Sequence, residues 1–261
     1  MDSSCLVLAV QDAGMKPIIV SFTLNDRKSK DFIAARKLAK YFKLSFIPVY
    51  IPITPEFVIK TTIKNMKEFG LKKKTDIECM FAFLYMIDSL KNIGASNLLT
   101  GMWNSHFLLS KHKTIQKLHL EISSFQKMKD KYYSWLIVDG KRVGEGTEQK
   151  QVKTIELVCA NYDIKFCAPF WTESVYKFFY NMTYQQLNKP RQKEILRKAF
   201  PELDELKIQK EQNFNVGDSG ISELVGETMR KKFTPNKKTP ISAYNYLWKH
   251  NFINSKQVNL I

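Results

Sequence analysis

Between residues 16 and 101 the chain alternates short apolar runs with longer stretches of helical periodicity, and this alternation constrains the fold most. Residues 16–23 (Lys-Pro-Ile-Ile-Val-Ser-Phe-Thr) are continuous and β-branched, which predicts a buried strand. Residues 29–42 follow with Phe32, Ala35, Leu38, Ala39 and Phe42 at helical spacing. A second strand is predicted over 44–50, before Pro52 and Pro55. Helices are predicted over 57–69 and 76–93, the longer one closed by Gly94. A third short strand, 97–100, ends at Gly101. Ahead of all this, residues 2–14 form a predicted helix, with Leu6, Leu8, Ala9 and Ala13 apolar and Gly14 as its stop. Strands and helices alternating in this way predict a parallel sheet flanked by helices. In such sheets ligands sit at the carboxyl ends of the strands, so the loops after Thr23 and Thr100 and the start of the first helix are the places to look.

The remainder is less regular. Trp135-Leu136-Ile137-Val138 before Asp139-Gly140 predicts a turn-terminated strand. Residues 141–150 are polar and predict an exposed loop, and beyond Gln151 the chain turns helical and aromatic. The expected organisation is a parallel α/β core over 1–106, a variable insert over 107–150 and a mostly helical part over 151–261. Length and composition (261 residues, 44% hydrophobic, 25% charged) suit one large globular domain or two small ones, with a sizeable core. No apolar run reaches the roughly 18 residues of a membrane span. Nor is there a secretory signal, so the cytoplasm is the expected compartment. Cys5, Cys79, Cys159 and Cys167 are scattered and predict free thiols. The four histidines form no ligand pair, and Ser3 and Ser4 lack a nucleophile-elbow context. The net charge of +16, from 41 Lys and Arg against 25 Asp and Glu, is compatible with a polyanionic partner. Lysines spread along the whole chain give the same total without any patch, so nucleic acid is a possible but less favoured partner.

Several segments carry chemistry in their order. Met1-Asp2-Ser3-Ser4 leads directly into the first helix; taken alone, it is a capped helix start. Phe22-Thr23-Leu24-Asn25 ends the first strand, and Leu98-Leu99-Thr100-Gly101 ends the third, where glycine permits close backbone approach. Cys167-Ala168-Pro169-Phe170-Trp171-Thr172 contains a Pro-Phe turn. Lys193 and Arg197 lie four apart on a predicted helix, which by itself describes a solvated basic face. Then come Lys207-Ile208-Gln209-Lys210-Glu211-Gln212-Asn213-Phe214, the glycine-bearing Asn215–Gly220 loop, and Lys238-Thr239-Pro240-Ile241-Ser242-Ala243-Tyr244-Asn245-Tyr246-Leu247.

In this order the segments resemble the synthetase domain of the asparagine synthetase family. Asp2-Ser3-Ser4 is similar to the end of its S-G-G-x-D-S-S phosphate loop, the signature of N-type ATP pyrophosphatases. Residues 188–200 are similar to its K-x-x-L-R-x-x-F helix, residues 207–214 to its R-Q-K-E-Q-F loop, and residues 238–247 to its N-T-P-x-S-x-E-A-Y-x-Y element. The likeness is densest over 188–247. It implies a doubly wound parallel α/β sheet of the adenine nucleotide alpha hydrolase kind, with a helical C-terminal part. It further implies cleavage of MgATP to AMP and pyrophosphate through an acyl-adenylate, which ammonia or another amine attacks to form an amide. On this resemblance Lys210 and Lys193 are the catalytic candidates. Asp2, Ser3, Ser4, Leu24, Thr100 and Gly101 bind ATP, and Asp2 holds Mg2+.

The resemblance has edges. The family's strand and Ser-Gly-Gly fall before Met1, so the chain is expected to begin inside its phosphate loop. Where the family carries the acidic run E-G-x-D-E, whose carboxylates help place its amino-acid substrate and metal, this chain has Met102-Trp103-Asn104-Ser105-His106; the departure counts against aspartate itself, and the expected carboxylate substrate is aspartate or a relative of it. The family's glutaminase domain has no counterpart, and Cys5, inside a predicted helix, cannot be its nucleophile. Nitrogen would come from free ammonia, an amine or a separate glutaminase. A nucleic-acid-modifying pyrophosphatase and a truncated or non-catalytic relative are the alternatives.

Overall fold

The computed structural model describes residues 1–24, 29–102, 137–138, 141–142, 148–208 and 218–250. In chain order they form α1 (Asp2–Asp12), β1 (Ile19–Leu24), α2 (Lys30–Tyr41), β2 (Phe46–Ile51), α3 (Pro55–Phe69), α4 (Lys74–Lys91) and β3 (Asn97–Leu99). There follow β4 (Ile137–Val138), β5 (Lys141–Arg142), α5 (Glu148–Ala160), β6 (Lys165–Cys167), a 3-10 turn (Pro169–Trp171) and α6 (Glu173–Tyr180). The last elements are α7 (Tyr184–Asn188), α8 (Glu194–Ala199), α9 (Glu202–Glu205), α10 (Ile221–Phe233) and α11 (Ile241–Trp248). The described residues are mixed α/β and mainly helical, and among them are two small parallel sheets and one antiparallel pair. None of the described helices is long and apolar enough to cross a membrane. Two compact units divide it: residues 1–17 with 95–210, and residues 18–94 with 211–261. Most of the expected insert 107–150 lies outside the described residues.

In the second unit β1 and β2 pair in parallel, Ile19 opposite Phe46 through Leu24 opposite Ile51, with α2 as the crossover. The strand predicted from residue 16 starts at Ile19 because its neighbour offers hydrogen bonds only from there: the Ile19 N–H donates to the Ser45 carbonyl. Capping sets the helix ends. The Ser29 hydroxyl accepts from the Phe32 N–H at 3.1 Å, and the Asp218 carboxylate accepts from the Lys30 N–H at 2.7 Å. Thr54 caps α3 ahead of Pro55, and Gly70 ends it in the left-handed conformation.

The apolar helix α4 is the core of this unit. Ile77, Met80, Phe81, Ala82 and Ile87 are fully buried. Among them sits a fully buried carboxylate, Glu78, which accepts from Lys74 Nζ at 2.9 Å and from the Tyr244 hydroxyl of α11 at 3.1 Å. Lys74 also donates to Ser222 of α10 at 2.8 Å, so one polar cluster ties α4, α10 and α11 together. Lys74 and Thr75 extend α4 two residues beyond its predicted start for this reason. Burial and the adjacent Glu78 charge push the Tyr244 phenol well above its ordinary range, which keeps it a donor.

In the first unit β3 and β6 pair in parallel, Asn97 opposite Lys165 through Leu99 opposite Cys167, with α5 packed on β6. Residues 141–150, predicted as a loop, instead contain β5 and the first turn of α5; β5 exists because Lys141 and Arg142 find antiparallel partners in Val138 and Ile137. All four cysteines are free thiols. Tyr244→Phe should leave Glu78 with one donor fewer in a dry core and lower the unfolding free energy by about 1–2 kcal/mol, read from urea denaturation.

Candidate functional site

The first unit gathers three segments that the sequence holds far apart: the N-terminal turn of α1, the end of β3 and the residue before α8. Helix α1 buries Cys5 and Leu8, so Asp2, one turn ahead of Cys5, is carried on the packed side of the helix. Met1 is its N-cap without a side-chain cap bond, so the first-turn N–H groups of α1 receive no local side chain at that position.

Strand β3 delivers its end to this turn. The Thr100 N–H donates to the Cys167 carbonyl at 3.1 Å, extending the β3–β6 ladder by one residue. Gly101 then lies directly against α1, its N–H donating to Ser3 Oγ at 3.3 Å. A Cβ at 101 would overlap the Ser3 nitrogen and the Asp2 carbonyl carbon and sit 2.9 Å from Asp2 Cβ. Glycine is required here by backbone approach rather than by its φ angle. The Thr100 hydroxyl accepts from the Met102 N–H at 3.2 Å.

The third member is Lys193. It precedes α8 rather than riding on its face, which corrects the sequence expectation that Lys193 and Arg197 share one helix face. Its backbone is left-handed (φ 59°), uncommon for a lysine. That conformation is held by Asn188, 2% exposed, whose Oδ1 accepts from the Lys193 N–H at 3.0 Å. The side chain is 1% exposed and its ammonium donates to Asp2 Oδ1. Lys193 is therefore no part of a solvated basic face: it is a buried cation with a carboxylate partner.

Arg197 is likewise committed. It pairs with Asp204, which also accepts from Arg191 Nη2 at 2.8 Å. The two guanidiniums, led by Arg191, hold the Asp204 carboxyl below its usual range. Arg197 Nη2 also donates to the Ile208 carbonyl at 3.3 Å, anchoring the chain two residues before Lys210. Sequence reasoning missed Asn188 and Asp204, because the chain turns left-handed at 193 and breaks between α8 and α9, so neither contact follows from helical spacing.

Asp2, Ser3, Gly101 and Lys193 thus meet, with Thr100 beside Gly101 and Ser4 half-buried in the same turn. Leu24 belongs to the second unit, where it ends β1 opposite Ile51 and is buried. Lys210 lies outside the described residues, as do Asn25, the segment 103–106 and residues 209–217. Among the described residues no group of three His, Cys, Asp or Glu could by itself hold a metal ion. No protein-family model matches the chain, and no curated protein is significantly similar to it.

Burial, followed by the Asp2 charge, pushes the Cys5 thiol up to about 12. The thiolate is the reactive form, so native Cys5 should resist alkylation at pH 8 while the part-exposed Cys79 and Cys167 react, as peptide mass mapping would show. The raised value also stabilises the fold fully only below the ordinary thiol value of 9.0, a contribution lost as pH rises from there toward 12. Asp2→Asn should strand the buried Lys193 ammonium and lower stability by about 2–4 kcal/mol. Combining it with Lys193→Met should recover part of that loss in the same denaturation measurement.

Proposed function

We propose that the first unit carries a nucleotide site and that the chain is an AMP-forming ATP pyrophosphatase of the asparagine synthetase kind. It would adenylate a carboxylate and form an amide. The observation that carries this reading is the meeting of Asp2, Ser3, Gly101 and Lys193. The sequence resemblance assigns Asp2, Ser3 and Gly101 to ATP and Lys193 to catalysis, and they stand up to 191 positions apart. A doubly wound sheet of the adenine nucleotide alpha hydrolase kind is part of the proposal; the parallel pairs β1–β2 and β3–β6 are compatible with it.

The residues fit a polyphosphate. The N-terminus of an 11-residue helix without a side-chain cap presents N–H groups and the positive end of its dipole. Gly101 leaves no side chain between the strand end and that turn. Lys193 supplies a positive charge from a dry position, where it acts more strongly than in water. Asp2 is a single carboxylate, which suits Mg2+ that arrives with a nucleotide and completes its shell with phosphate oxygens and water. Bound there, Mg2+ would neutralise charge on the leaving pyrophosphate.

The roles of the chain's own groups follow. The turn at Ser3 and Ser4 binds phosphate through backbone N–H groups. Lys193, released from Asp2, offsets charge that builds as the α-phosphate and pyrophosphate separate. Lys210 is proposed as a second cation for the same charge. The acceptor carboxylate, aspartate or a relative, attacks the α-phosphate and expels pyrophosphate. Ammonia or an amine, from solution or from a separate glutaminase, then displaces AMP from the acyl carbon and loses a proton to give the amide.

The test is pyrophosphate release from MgATP with aspartate and ammonium. Wild-type protein should release it, and Lys193→Met should slow release by about 10²–10³-fold with unchanged circular dichroism. Lys210→Ala should do the same. Full activity in both variants would refute the assignment.

A further inference from the structure

The second unit carries a surface on which aromatic rings and lysines alternate. Residues 228–261 contain no Asp or Glu, yet bring Arg230, Lys231, Lys232, Lys237, Lys238 and Lys249. The end of α10 meets the last turn of α11 through the Phe233 and Tyr246 rings, stacked with centroids 6.4 Å apart. Tyr246 in turn lies 4.3 Å from the His250 ring, so three rings form a row. The row ends in the open: Tyr246 is 43% exposed, and His250 is exposed as well. Lys72 sits 5.6 Å over the ring of Trp248, which brings the exposed pair Lys72 and Lys73 to the same helix end. Lys231, Lys232 and Lys249 adjoin Phe233 and His250 in sequence and are exposed.

The carboxylate nearest in sequence does not offset this charge. Glu227 is taken by Arg230, which donates to it at 2.8 Å and spends Nη1 on the Pro235 and Lys237 carbonyls. The exposed lysines of these two helices therefore keep their charge on the unit that also exposes the Tyr246 and His250 rings.

We infer that this face of α10 and α11 binds single-stranded nucleic acid, with bases stacking on the Tyr246–His250 row and the surrounding lysines neutralising phosphates. Charge alone would suit any polyanion. The ring row favours unpaired bases, because every base has a face to stack and a duplex hides it. The inference goes beyond the nucleotide reading and does not depend on it, since all of its residues lie in the second unit.

The experiment is fluorescence anisotropy of a labelled oligouridylate of about 12 nucleotides, titrated with the full chain at low salt and compared with a duplex of equal length and with anionic phospholipid vesicles. Binding should favour the single strand and weaken steeply as salt is added. Tyr246→Ala should weaken it about tenfold, while Tyr246→Phe stays near wild type. Lys231→Glu with Lys232→Glu, at two exposed positions, should weaken it and flatten the salt dependence. An RNA or a DNA strand would serve equally, since both offer bases and phosphates. Absence of binding at low salt would overturn the inference. So would preference for duplex or vesicles, or a Tyr246→Ala variant that binds as tightly as wild type.

Discussion

A lysine ammonium with 1% exposure can persist only if its charge is answered where it lies, and Asp2 answers Lys193. Much of the first unit is arranged around that requirement. Asp2 must be on the packed face of α1, so α1 must start where it does. Asn188 must hold the backbone of residue 193 in a left-handed conformation, so α7 and α8 must meet at a fixed angle. Gly101 must lie flush against the same turn, so β3 must extend one residue past its regular pairing. A buried pair of this kind adds little net stability, but removing one partner is expensive. Its structural role is to make one arrangement of three distant segments far better than its neighbours.

The second unit solves a related problem differently. Glu78 is buried in the apolar helix α4 and is satisfied by Lys74 from its own helix and Tyr244 from another. There the polar cluster links helices α4, α10 and α11. In the first unit Ser3 and the partly exposed Asp2 remain at the surface of the cluster.

The sequence was most legible where periodicity alone decides. The β1–α2–β2 unit, α3, α4 and β3 lie within a few residues of their predicted bounds, and the shifts have local causes: a missing strand partner before Ile19 and a Lys74–Glu78 pair that prolongs α4. The site was legible as a set of segments but not as a geometry. Helical spacing put Lys193 beside Arg197, whereas the chain turns left-handed at 193 and sends the two cations to different carboxylates, Asp2 and Asp204. Nothing in the residues around Lys193 announces that turn, because the amide that enforces it comes from Asn188 in the preceding helix. Short elements such as β5 escaped for a similar reason: Lys141 and Arg142 become a strand through pairing, not through their own preference.

The left-handed turn at residue 193 sets two selective pressures against each other. By backbone preference alone this position belongs to glycine or asparagine, and either would relax the chain there. Both would also erase the cation. Lys43 and Lys207 are also left-handed (φ 52° and 53°) but exposed, so burial against Asp2, rather than the backbone conformation, is what sets Lys193 apart. Across related chains, drift to glycine or asparagine at 193 should be accompanied by loss of the acidic residue at position 2, since the carboxylate would have nothing left to face.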